Sequence, residues 1–313
     1  MAEQEWAGTT YGNAWMHKWL IRMLRHIDVR ILYLFVALFI IPVCLILNPS
    51  RGIAYRYFRR RIGYGRMKSA WKTYTNHCLF GQVVVDRFAM YAGKRFDVEV
   101  VNYNEFLERA SRKEEGFVQL SAHVGNYEIA GYTLVCQNKR LNALVFAGEK
   151  ASVMQNRSKM FADTNINMIA IQPDMTHLFE IDKALADGEI VSMPADRING
   201  SQKSIEHEFL GAKAKFPLGP FSVATMSGLD VLAVNVMKDS LTCYKIYVTP
   251  LLYDKKATRQ EQIKQLSRAY VAELEKRVRQ YPEQWYNYFE FWEENSLPQP
   301  LQRRGEQPHE PRK

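Results

Sequence analysis

The chain has 313 residues, a formal net charge of +9, 47% hydrophobic and 24% charged residues. That is enough apolar material for one sizeable α/β core, and the charge points to acidic partners such as anionic lipid, nucleic acid or an acidic protein. Cys44, Cys78, Cys136 and Cys243 stand far apart, with no Cys-x-x-Cys and no Cys/His cluster. This spacing argues against a disulfide framework and a zinc module and fits a reducing, cytoplasmic-side location. The chain has no internal repeat, no Gly-x-Gly-x-x-Gly and no P-loop, so the familiar nucleotide-binding signatures are absent.

The first element is the apolar run from Ile31 to Leu47, which as a helix would be about 25 Å long, marginal for crossing a bilayer. It starts too deep, behind Glu3 and Glu5, to resemble a cleaved leader, and reads as an uncleaved membrane anchor. Pro42 interrupts it, at a cost that membrane helices absorb more readily than water-exposed ones. Arg22, Arg25 and Arg30 precede it; Arg51, Arg56, Arg59, Arg60, Arg61, Arg66, Lys68 and Lys72 follow with no acid among them. Basic residues on both sides suit anionic lipid at either flank and leave open whether the segment spans or dips into one leaflet.

Residues 69–93 predict a helix with Leu79, Val83, Val84, Phe88 and Met90 towards the core. Residues 96–101 alternate as a strand does, and residues 103–112 suit a short helix. From Phe117 the chain alternates: strands over 117–122, 142–147, 167–171 and 189–194, helices over 126–138, 151–163 and 176–187. Further strands fall at 231–237 and 244–251. A helix over 260–281 carries Ile263, Leu266, Tyr270, Leu274 and Val278 on one face. The rhythm predicts an α/β fold with a mostly parallel central sheet flanked by helices. The division expected is a membrane anchor over 1–50, a catalytic domain over 51–296 and a Pro- and charge-rich disordered tail over 297–313.

Two histidines are followed five positions later by an acid. His177 and Asp182 fall within one amphipathic helix, where residues five apart point roughly 140° apart, so they cannot converge. His123 and Glu128 are separated by Val124-Gly125-Asn126, a loop between strand and helix with Asn126 as a candidate N-cap. That turn lets both side chains face one point, with Glu128 in the first helical turn, where the dipole favours its charge. Neutral imidazole is a usable general base near neutrality when a carboxylate holds its tautomer. His123 would take the proton and Glu128 would hold His123; the competing reading is a structural histidine beside a surface glutamate. A hydrolase using Ser121 as nucleophile is a third reading, without a Gly-x-Ser-x-Gly elbow to support it. A tethered nucleic-acid-binding protein, supported by charge alone, is a fourth. His123 stands at the carboxyl end of a strand, where open α/β sheets place their sites. Lys150, Arg157, Asp196 and Arg197 follow later strands and could join it there as substrate-binding groups.

These segments together resemble the bacterial lysophospholipid acyltransferase-like family, which includes the late lipid A acyltransferases. The resemblance covers residues 58–292. It rests on His123-Val-Gly-Asn-Tyr-Glu128, Met193-Pro-Ala-Asp196, Phe209-Leu-Gly211 with Phe216-Pro-Leu-Gly-Pro220, and Tyr281-Pro-Glu-Gln-Trp285. It implies an O-acyltransferase that moves a fatty acyl group from a thioester, in the first instance acyl carrier protein, to a hydroxyl of a membrane lipid at the cytoplasmic face of the inner membrane. No metal, cofactor or nucleic acid is implied. Arg157, Arg197 and backbone N–H groups near Gly125 are candidate oxyanion donors, and Phe216–Phe221 with Ala224, Met226 and Leu229 could line an acyl pocket. Many lipid A enzymes continue Pro-Glu-Gln-Trp with a histidine and paired arginines. Here Tyr286-Asn-Tyr follows, which leaves the acceptor open among a lipid A precursor, another glycolipid or aminolipid, and a lysophospholipid.

Overall fold

The computed structural model describes residues 14–48, 50–146, 164–172, 174–198, 203–226 and 228–292. Helix α1 (Ala14–Leu24) leads into an apolar helix, α2 (Val29–Leu47), of mean hydropathy 2.7. Asp28 caps α2 by accepting from the Arg30 N–H at 2.8 Å, the N-terminal arrangement expected of aspartate. A π turn over Val36–Ile40 stands just before Pro42, where the proline ring would otherwise clash with the preceding turn and one N–H is missing. At the other end the Arg51 guanidinium donates to the carbonyls of Leu45 and Ile46, which closes off free acceptors at the helix C-terminus.

Helix α3 (Arg51–Arg56) runs into a second π turn, Tyr57–Arg61, and then α4 (Arg66–Tyr91) begins. One stripe of α2 packs along α4: the Tyr74 hydroxyl donates to the Ala37 carbonyl at 3.0 Å, and a Cβ on Gly81 would lie 2.7 Å from a Val36 methyl. Glycine at that position lets the two helices approach closely.

The main sheet comprises β1 (Asp97–Val101), β2 (Phe117–Ser121), β3 (Leu141–Phe146), β4 (Ile166–Ile171), β5 (Ile190–Pro194), β8 (Asp230–Lys238) and β9 (Cys243–Pro250), in the order β1-β9-β8-β2-β5-β3-β4. Every pairing is parallel except β8 with β9, so the expected α/β class and mostly parallel sheet are observed. Between strands lie α5 (Tyr103–Ser111), α6 (Glu128–Thr133), α7 (His177–Ala186) and α8 (Leu218–Met226), and α9 (Arg259–Gln280) follows the last strand. The Thr258 side chain caps α9 by accepting from Glu261 N–H, a Thr-x-x-Glu start. Leu266, Tyr270, Leu274 and Val278 are buried along its face, as their spacing predicts.

Three outcomes differ from the sequence reading. Helix α6 ends at Thr133, well short of 138. Residues 204–217 form an antiparallel hairpin of β6 (Ser204–Phe209) and β7 (Ala212–Pro217), turned at Leu210 and Gly211, both at positive φ. Its alternation of charged and apolar residues, with one face outward, is the signature of a half-buried hairpin. Phe216, Phe221 and Ala224 are fully buried in the main core with Phe209 and Tyr270, so they fill space where a lining for an acyl chain was expected, while Met226 is half exposed.

Candidate active site

His123 stands two residues beyond β2 and Asp196 two residues beyond the adjacent parallel strand β5. The register pairs Ser121 with Pro194, and Ala195 N–H continues the ladder to the Ser121 carbonyl at 3.0 Å. Equal offsets from paired residues bring the two side chains together. Asp196 Oδ1 lies 2.8 Å from His123 Nδ1, and Oδ2 accepts the His123 backbone N–H at 2.9 Å. An ionised carboxylate can only accept, so Nδ1 carries the proton and the tautomer is fixed. Asp196 is 2% exposed and the His123 side chain 23%: the acid is sealed in and the ring reaches the surface.

Burial by itself would raise the Asp196 carboxyl. The charge and hydrogen bonds of His123, with Arg197 nearby, outweigh it and hold the carboxyl below the ordinary aspartate range. Arg197 is lowered by its own burial, against the pull of Asp196. Its Nη2 donates to the Tyr286 carbonyl at 2.8 Å, and its guanidinium lies 5.7 Å from the Phe289 ring centroid.

The expectation that Glu128 orients His123 is corrected by this geometry. Glu128 is buried, but it faces α4: its Oε1 lies 2.9 Å from Arg87 Nε and its Oε2 accepts from the Tyr91 hydroxyl at 3.2 Å. The strand register gives Asp196 the place on Nδ1, and the first turn of α6 aims Glu128 at the neighbouring helix. Asp196, expected among the substrate-binding groups, is the residue that touches the ring. Lys150 and Arg157 lie outside the described residues.

The loop after His123 is held from below. Gly125 has φ +53, and a Cβ there would sit 1.8 Å from the Val236 carbonyl oxygen, so the position requires glycine on both counts. Gly125 N–H donates to the Gln284 carbonyl at 2.8 Å and Asn126 N–H to the Val236 carbonyl at 2.9 Å. Those amides are therefore engaged, which corrects their expected role as oxyanion donors. Val124 bridges Trp285, and Tyr270 donates to the Ser121 carbonyl at 2.8 Å.

The Pro-Glu-Gln-Trp element thus acquires a physical task. Its backbone supports the His123 loop, Gln284 clamps both the N–H and C=O of Lys238, and Asn76 of α4 donates to the Glu283 and Trp285 carbonyls. Sequence reading found the element and missed its contact with His123, because the two lie far apart in the chain. His177 and Asp182 lie in one helix as expected, and His177 Nδ1 accepts from the Gln172 N–H at 3.2 Å.

The family model for bacterial lipid A biosynthesis acyltransferase matches residues 88–292, a span that contains the histidine, the aspartate and the C-terminal element. No curated protein matches the chain. Among solved structures, the 1-acyl-sn-glycerophosphate (LPA) acyltransferase PlsC from Thermotoga maritima is similar at 14% identity and a TM-score of 0.38, over 83% of this chain and all of that one.

Proposed function

The chain belongs to the bacterial lipid A biosynthesis acyltransferase family and is a lipid acyltransferase; within that activity we propose that His123, held by Asp196, is the general base. The observation that carries this reading is the bidentate contact of a buried aspartate with the ring and backbone of a partly exposed histidine at the carboxyl end of a central parallel strand. With Nδ1 committed to Asp196, proton exchange falls to Nε2. Nε2 takes the proton from a lipid hydroxyl as the oxygen attacks the thioester carbonyl. The tetrahedral intermediate collapses, the C–S bond breaks, and the thiolate leaves with the proton returned from the imidazolium. Asp196 stabilises the imidazolium in between and stays ionised.

The acyl donor proposed is acyl carrier protein, an acidic partner suited to a chain of net charge +9. The acceptor is a lipid A precursor or another membrane lipid hydroxyl. The location proposed is the cytoplasmic face of the inner membrane; what supports membrane association itself is α2, only 17% of whose most apolar window is buried. Ile31, Leu34, Phe39, Ile46 and Leu47 are each more than 60% exposed there, and Trp15 and Trp19 are exposed on α1. Leaving so many large apolar side chains in water would forgo roughly 1.5–3 kcal/mol each. In this reading residues 1–50 anchor and residues 51–296 catalyse.

The test is to incubate the full-length detergent-solubilised protein and His123→Ala with acyl carrier protein carrying a labelled acyl chain and a total lipid extract. Label entering one lipid class with the wild type alone supports the reading and identifies the acceptor. Equal transfer by a folded His123→Ala protein rejects the base assignment, and release of free fatty acid alone rejects transfer to a lipid.

A further inference from the structure

Strand β2 pairs with β8 from Phe117 opposite Asp230 to Leu120 opposite Ala233. Beyond that it turns away towards His123, and the backbone groups along that edge of β8 take other partners, as buried peptide groups must. The Val236 carbonyl accepts the Asn126 N–H. At Lys238, the last residue of β8, Gln284 supplies both bonds: its Oε1 accepts the backbone N–H at 2.7 Å and its Nε2 donates to the carbonyl at 2.6 Å. A side-chain amide carries the same donor and acceptor as a peptide group, so Gln284 stands in for a strand residue along this edge. It is 5% exposed, and removing either bond would strand a backbone group away from water.

The backbone of the same residue reaches the loop that carries the histidine. Its carbonyl accepts the Gly125 N–H at 2.8 Å, two residues beyond His123. Asn76 of α4 donates to the carbonyls on either side of it, those of Glu283 and Trp285. Gln284 therefore ties three parts together: the end of β8 by its side chain, α4 through its neighbours, and the His123 loop by its carbonyl. Asp196 grips His123 from the β5 side, through the ring and the backbone N–H, and Gln284 fixes the loop that follows on the β8 side. We propose that Gln284 is a positioning residue for acyl transfer: by setting the separation of Gly125 from β8, it holds the His123 ring at the angle at which it meets the lipid hydroxyl, as Asp196 holds its tautomer. A catalytic constellation has to be kept within roughly 0.5 Å of its productive geometry by the residues behind it, and a misplacement of about 1 Å costs on the order of 10²-fold in rate. This deepens the reading of His123 as general base and rests on it.

The experiment takes full-length, detergent-solubilised wild type, Gln284→Met, Gln284→Glu and His123→Ala. It measures transfer from acyl carrier protein bearing a labelled acyl chain to a total lipid extract, and hydrogen–deuterium exchange of the peptide covering residues 122–128. Gln284→Met keeps the length of the side chain and loses both bonds to Lys238; kcat should fall about tenfold or more with the KM for the acyl donor within about twofold of wild type, and residues 122–128 should exchange faster. Protonated, a glutamic acid at this position makes both bonds, its O–H donating to the Lys238 carbonyl; ionised, it can only accept. Of the charged groups nearby, Lys72 is paired with Glu283 and the Lys238 ammonium with Asp86, so burial dominates and raises the new carboxyl. The ratio of Gln284→Glu to wild-type kcat should therefore rise as pH is lowered from about 8 to about 6, opposite in direction to the loss that protonation of His123 brings to both proteins. A residue that served stability alone would leave the kcat of the folded protein unchanged. Circular dichroism and chemical denaturation at each pH show whether the variants are folded; if Gln284→Met is not, the pH ratio of Gln284→Glu decides. Wild-type kcat in the folded variants, a ratio that is flat with pH, or unchanged exchange over 122–128 overturns the proposal. His123→Ala separates the two readings. If it transfers at the wild-type rate, the base assignment fails whatever the Gln284 variants do; if it is inactive while folded Gln284 variants keep wild-type kcat, this inference alone fails.

Discussion

Two acid-centred pairs, His123 with Asp196 and Lys238 with Asp86, look alike as contacts and differ in everything that decides function. Lys238 Nζ lies 2.5 Å from Asp86 Oδ2 with the side chains 2% and 0% exposed, and the hydroxyls of Tyr33 and Tyr244 also donate to Asp86. Burial pushes the Asp86 carboxyl up and the Lys238 amine down, each opposed by the other's charge. All of their polar capacity is spent inside the protein, where they join α2, α4, β8 and β9. In the His123 pair only the acid is sealed, and the ring reaches the surface. A pair with both ends buried is a joint; one with a partly exposed histidine is, in the reading proposed above, a poised base.

The largest effect that should separate the pairs is on rate. His123→Ala is expected to lower acyl transfer by roughly 10²–10⁴-fold while leaving the thermal melt within about 1 kcal/mol of wild type; a large loss of stability instead would make His123 a joint too. Asp86→Ala should do the reverse, costing about 3–5 kcal/mol in chemical denaturation because it strands a buried lysine. Asp86→Leu combined with Lys238→Met should recover most of that loss, and failure to do so would mean that the network, and not the lone charge, sets the cost.

Next in size, Asp196→Asn should lower kcat by about 10²-fold or more with less change in KM, since it disturbs the tautomer. Glu128→Gln should lower it less, and the opposite ranking would restore Glu128 as the orienting acid. The sign of the pH effect follows from the depressed Asp196 carboxyl. Its contribution to stability is fully present above the ordinary aspartate value of about 3.9 and is lost as pH falls through the lower folded value. The stability difference between wild type and Asp196→Asn should thus be flat from about pH 5 upward and shrink only in stronger acid. The smallest effect concerns the apolar helix: Tyr33→Phe removes a donor to Asp86 and to the Leu241 carbonyl and should cost roughly 1–2 kcal/mol in denaturant, with no change if α2 is held by apolar packing alone.

The sequence by itself determined the alternation of strands and helices from Phe117, the apolar helix near the start, the face of α9 and the placement of His123 after a strand. These follow from local periodicity and from the turn chemistry of Gly125 and Asn126, which neighbouring residues in the chain suffice to specify. The hairpin over 204–217 was equally local, yet its charged outward face masked it. Tertiary structure alone decided which carboxylate meets the histidine. Glu128 is five residues away and Asp196 seventy-three, but β2 and β5 are neighbours in register, and a parallel pairing is a long-range choice that no local pattern states. Long-range contacts likewise placed the Pro-Glu-Gln-Trp element beneath Gly125 and Arg61 against Trp292, because side chains distant in sequence meet only once the sheet has fixed where each chain end returns.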